Sequence, residues 1–125
     1  MNIKDFSTGI DIEKIERFEK HSTDKNNSFV KRIYTPNEID YCFSDSKPAE
    51  HLAARFCAKE AVYKALSSLG CQNIDFTKIE ILSDENGVPF VNLDKEKYKN
   101  IEIKISLSHG NGNAIASAFA IKLSD

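Results

Sequence analysis

The chain has 125 residues and a formal net charge of −2, with 41% hydrophobic and 29% charged side chains. That size fits a single domain over residues 1–125 with an ordinary apolar core, and the charge balance argues against general nucleic-acid binding. The N-terminus has no basic stretch followed by an apolar run, and no apolar segment nears the roughly 20 residues that cross a bilayer. No signal peptide or membrane span is therefore expected. Cys42, Cys57 and Cys71 are odd in number and lack CxxC spacing, which points to reduced thiols in a cytoplasmic protein.

Taken in chain order, Phe6 to Ile12 reads as a short strand carrying Gly9 and Asp11. Glu13 to Lys20 then reads as a short amphipathic helix, with Ile12, Ile15 and Phe18 near helical spacing. His21 to Ser28 is polar and expected to be a loop. Thr35-Pro36-Asn37-Glu38 is a strong helix start: a capping hydroxyl, a proline at the first position and a glutamate that closes a capping box. That helix runs to about Phe43, and Ser44 to Lys47 breaks it. Pro48 opens the longest helix, which ends near Leu69 with Gly70 as its stop. Lys78 to Leu82 and Val88 to Leu93 flank the turn Asp84-Glu85-Asn86-Gly87, forming a hairpin. Ile101, Ile103, Ile105 and Leu107 alternate with polar residues, Gly110 to Asn113 turns the chain, and Ala114 to Ile121 completes a second hairpin. Helices first and mostly antiparallel strands later give an α+β class.

Several polar residues interrupt these patterns. On a wheel of about 100° per residue, Leu52, Phe56, Tyr63, Leu66 and Leu69 form an apolar stripe on the long helix. Lys59 falls inside it, where an ammonium must snorkel, pair or meet a ligand. Ala54, Ala58, Ala61 and Ala65 make another flank small enough for close backbone approach. Glu60 and Lys64, four apart, are either a surface ion pair or a cation-binding carboxylate beside a phosphate-binding ammonium. Asp11 is either an N-cap or a ligand, since aspartate is disfavoured inside a strand. His109 ends a regular strand and is structural or site-lining. Lys20, Lys25, Lys31 and Arg32 form a local basic patch that suits an acidic partner.

Three separated segments together resemble one family. Gly9-Ile10-Asp11-Ile12 resembles its G-x-D-[ILV] element, Arg55 to Ala65 its R-F-x-x-K-E-A-x-x-K-A helix, and Ile105 to His109 its S-[IL]-[ST]-H strand. Phe29 to Glu38 resembles an intervening F-x-x-R-[IV]-x-[ST]-x-x-E stretch. The family is the 4′-phosphopantetheinyl transferases, in particular the short holo-[acyl-carrier-protein] synthases. The resemblance implies transfer of the phosphopantetheine arm of coenzyme A to a serine of an acyl carrier protein in fatty acid synthesis. It implies Asp11 and Glu60 as magnesium ligands, Lys64 and Lys59 on phosphate, and Glu60, Lys64 and His109 as catalytic. Arg55, Asn86, Gly87, Pro89, Ser108 and His109 join Asp11 in holding the donor. Arg17, Phe29 and Arg32 receive the acidic carrier, and the serine proton goes to Glu60 or a metal-bound water. It further implies a homotrimer with active sites between subunits. Gly110, Val88 and Ser67-Ser68-Leu69-Gly70 depart from the family pattern without touching Asp11, Glu60 or Lys64. A non-catalytic coenzyme A- or carrier-binding subunit and a plain structural domain are the competing functions.

Overall fold

A computed structural model describes residues 2–124. Its strands are β1 (Ile3–Lys14), β2 (Glu80–Ser83), β3 (Pro89–Asn92), β4 (Ile101–Gly110) and β5 (Asn113–Leu123), and its helices α1 (Ser28–Ile33), α2 (Pro36–Phe43) and α3 (Pro48–Ser68). Short 3₁₀ helices occupy Ile15–His21 and Phe76–Lys78. The larger sheet has order β1-β5-β4 and is antiparallel throughout; β2 and β3 form a separate hairpin. The architecture is α+β, with α3 lying across β1 and β5.

The inner row of β5 is Ala114, Ala116, Ala118 and Ala120, all buried, and α3 contributes buried Ala58, Ala61 and Ala65. Small side chains on both partners let helix and sheet approach closely. The contact is tightest at Gly9, where an added Cβ would lie 2.0 Å from the Ala61 carbonyl oxygen. Ser7 fastens the same strand, its hydroxyl donating to the Ala65 carbonyl at 2.6 Å. Cys57 does so one helical stretch earlier, its thiol donating to the Asp11 carbonyl at 3.0 Å.

Two of the expected elements are redrawn. β1 runs through to Lys14, because its ladder with β5 extends to the pair Lys14↔Asn113. Cross-strand pairing thus overrides the helical spacing of Ile12 and Ile15, and the helix expected at Glu13 to Lys20 becomes a 3₁₀ helix starting at Ile15. The segment after the expected loop forms α1, capped by Asn27, whose side chain accepts from the Phe29 and Val30 amides. On α3 the apolar stripe is not the sole buried face. Tyr63 is 38% exposed and Phe56 half-buried, while Ala58, Ala61 and Ala65 of the alanine flank are fully buried and Ala54 partly so. A helix wedged between a sheet and α2 buries most of its circumference.

The turns match their chemistry. The Thr35–Glu38 capping box is present. Asp84 organises the β2–β3 turn, its side chain accepting from the Asn86 and Val88 amides, with Gly87 at φ +79°. Asn111 and Gly112 both take positive φ at the β4–β5 tip, as a two-residue hairpin turn requires. The Gly112 carbonyl accepts from the Ile15 amide at 2.9 Å, tying that tip to the 3₁₀ helix.

Candidate active site

Asp11 and Glu13, two residues apart on β1, share the face turned towards α3. Glu60 and Lys64 reach that face from α3. The Lys64 ammonium donates to the Ile10 carbonyl at 2.9 Å and lies 3.4 Å from Asp11 Oδ1. Asp11 Oδ2 is buried with no hydrogen-bond partner. Burial, a hydrogen bond with Asp11 and the Asp11 charge push the Glu13 carboxyl up to about 7, against the opposing pull of Arg17, which it meets at 3.2 Å. Burial and the Asp11 charge likewise raise Glu60, partly countered by Lys64. Three carboxyl groups therefore lie near enough to feel one another's charge, with Lys64 and Arg17 as the cations that counter them.

That excess of carboxyl over cation is what a cation site needs. The partnerless oxygen of Asp11 is an available donor, and hard carboxylate oxygens suit magnesium. Among the described residues no set of three or more His, Cys, Asp or Glu side chains is arranged around a common metal position. Two carboxylates with the remaining positions left to substrate phosphate and water are the usual magnesium arrangement, so Asp11 and Glu60 fit the ion.

The other expected site residues divide into separate places. Lys59 is corrected: it is 0% exposed, and its ammonium donates to Glu38 Oε1 at 2.8 Å and to the Ile79 carbonyl at 2.6 Å. It is a core ion pair with both side chains closed off from the surface. Glu38 is also completely buried and accepts from the Thr35 and Ile81 amides, so every charge in this knot is answered. Arg55 is only 3% exposed and also stands apart from the acidic group. It donates to Ser83 Oγ at 2.9 Å, with its guanidinium 4.1 Å from the Tyr41 ring centre. It thereby braces the end of β2 that leads into Asn86, Gly87 and Pro89.

Ser108 and His109 are exposed near the β4–β5 tip, where His109 pairs with Ala114. Because β5 lies between β4 and β1, the structure does not join them to Asp11 within one copy. His109 instead lines an open cavity of about 580 Å³ with Lys14, Glu16 and Glu50. Arg17 and Phe29 line another, of about 530 Å³, together with Glu13 and Phe56. This brings the expected carrier surface up to the carboxyl group. Arg32 is exposed one turn beyond Phe29 on α1. Glu13 is the participant the sequence reading missed; continuing the two-residue strand period past Ile12 would have placed it beside Asp11.

Known proteins place this geometry in context. The sequence model of the 4′-phosphopantetheinyl transferase superfamily matches residues 7–120. The chain is 45% identical over 85 residues to the holo-[acyl-carrier-protein] synthase of Protochlamydia amoebophila, covering 68% of this chain and 70% of that one. It is 41% identical over 88 residues to the synthase of Geobacter sp. strain M21, covering 70% of each. Among solved structures it is similar to the Helicobacter pylori holo-[acyl-carrier-protein] synthase in complex with coenzyme A, at 35% identity and a TM-score of 0.75, covering 89% of this chain and 96% of that one. The Chronobacterium ammoniagenes ACPS–CoA complex aligns at 25% identity and a TM-score of 0.79, over 97% of this chain and 100% of that one. On the match of nearly its whole length, together with the acidic group set between β1 and α3, the chain belongs to the 4′-phosphopantetheinyl transferase superfamily and groups with its holo-[acyl-carrier-protein] synthases.

Proposed function

We propose that this chain transfers the 4′-phosphopantetheine group of coenzyme A to a serine of an apo acyl carrier protein, serving fatty acid synthesis, with Asp11 and Glu60 holding magnesium. The observation that carries the site assignment is the partnerless Asp11 Oδ2 inside a cluster of under-neutralised carboxyls. In the reaction the serine oxygen bonds to the β-phosphorus of coenzyme A, the bond from that phosphorus to the bridging oxygen breaks, and adenosine 3′,5′-bisphosphate leaves. A bound magnesium ion supplies polarisation of the phosphate and offsets the charge that accumulates in transfer. Glu60 or a water beside it takes the serine proton. Lys64, half exposed on α3, presents its ammonium to a phosphate oxygen as a compact point charge. Arg17 and Arg32, with Phe29 between them in sequence, meet the acidic carrier beside the carboxyl cluster, where opposite charge orients the encounter.

The remaining donor contacts need a second copy. One face of the larger sheet leaves Phe6, Ile10, Ile12, Ile115 and Phe119 exposed, with Ile10 at 65% and Phe6 at 64%. A contiguous apolar sheet face of this kind marks an interaction surface. A homotrimer closed through that face would carry Ser108 and His109 of one copy towards the Asp11 group of the next, with Asn86, Gly87 and Pro89 at the nucleotide end. No helix among the described residues is long and apolar enough to cross a membrane. The three free thiols support a reducing, cytoplasmic setting.

The test is incubation with coenzyme A, magnesium and an apo acyl carrier protein, read by intact mass. One phosphopantetheine arm should appear on the carrier. Carriers from several sources that all stay unmodified would sink the assignment.

A further inference from the structure

Lys64 is half exposed, yet its ammonium is engaged before any ligand arrives. It spans from α3 to β1, donating to the Ile10 carbonyl at 2.9 Å and sitting 3.4 Å from Asp11 Oδ1. The Asp11 side chain is only 12% exposed, and its second oxygen has no hydrogen-bond partner unless Glu13 is protonated. Just as Arg17 is the cation of Glu13, Lys64 is thus the cation that Asp11 already holds. A divalent ion placed on Asp11 would compete with it directly, because two cations a few ångströms apart repel and both draw on the same carboxylate. An ammonium keeps three donors on a flexible stem and can be drawn away by a stronger anion, which a fixed backbone contact could not be.

We infer that Lys64 is an exchangeable counter-ion: without donor it covers Asp11 and holds metal affinity down, and the donor's phosphate draws it off and uncovers the carboxylate. This rests on the metal and donor assignments above and adds to them an order of events. Metal and coenzyme A then bind with positive coupling beyond what a direct metal–phosphate contact supplies, and by linkage each tightens the other by the same factor. A site wired this way stays closed to cellular cations until the substrate that needs them is present.

The coupling is measurable without turnover. Manganese binding, followed by electron paramagnetic resonance, is titrated with and without saturating coenzyme A in the wild-type protein and in Lys64→Met. The decisive quantity is the ratio of the two manganese dissociation constants. It should fall about tenfold in Lys64→Met, chiefly because the variant binds manganese roughly 5- to 10-fold more tightly when coenzyme A is absent. An ammonium that stayed in place would weaken manganese equally in both conditions, so identical ratios in wild type and variant overturn the inference. Asp11→Asn separates the levels. If it abolishes manganese binding while the ratios remain equal, the metal assignment stands and the counter-ion role alone fails. If it leaves manganese binding unchanged, the metal assignment falls and the counter-ion role falls with it.

Discussion

Lys59 and Glu60 are neighbours in sequence with opposite fates, and the helix alone decides it. A step of about 100° turns Lys59 inwards to Glu38 and Glu60 outwards to Asp11. Their substitutions should therefore fail in different assays. Lys59→Met strands a fully buried carboxylate and should lower unfolding free energy by about 3–5 kcal/mol, seen as a reduced midpoint in denaturant. Glu60→Gln removes one proposed metal oxygen from a half-buried position, so it should leave that midpoint within about 0.5 kcal/mol while cutting magnesium-dependent transfer by at least about a hundredfold. A Glu60→Gln protein with wild-type turnover across magnesium concentrations would exclude it as a ligand.

At the level of elements, the site is a consequence of how near β1 comes to α3. Gly9 sets that distance, since any side chain there meets the Ala61 carbonyl. Gly9→Ala should push strand from helix, cost roughly 3 kcal/mol through overpacking, and separate Asp11 from Glu60. Manganese affinity should drop more in this variant than in Ser7→Ala, which loses one hydrogen bond but keeps the spacing; equal losses would show that spacing is not what matters. The same elements show what the sequence made legible. The capped α2, the proline-led α3 and both hairpin turns announce themselves through local chemistry, and the structure has them. Asp11, Glu60 and Lys64 stand out as polar residues in patterned segments, and they do converge. The end of β1 was misread because its continuation depends on Asn113, about a hundred residues away, which no local window contains. The misplacement of Lys59 has the same origin: its partner Glu38 lies on another helix, and only the packing of α2 against α3 reveals the pair.

On the scale of the whole molecule, the apolar outer face of the larger sheet and the distance between His109 and β1 point to the same conclusion. A single copy exposes hydrophobic surface and, on the proposed assignment, holds only part of the donor site. If the proposed trimer forms through this face, Ile10→Asp, on the exposed side of β1, should turn it into monomer in sedimentation analysis and depress transfer together with it. A fully active monomer would contradict sites shared between subunits. The substitution leaves the Ile10 carbonyl in place, so the contact with Lys64 is not the quantity being tested.

β5 lies between β1 and β4, and this has a consequence during synthesis. The strand that carries Asp11 is made early, and its partner emerges only after roughly a hundred further residues, a separation that makes the pairing slow as well as late. Until then β1 has no partner on either edge; in the folded chain β5 covers one of them and the other stays open. The nascent chain is therefore not a partial enzyme that improves as it lengthens. On the proposed site Asp11 and Glu60 meet only once β1 packs on α3, a packing whose core β5 completes last, so binding competence comes late in folding.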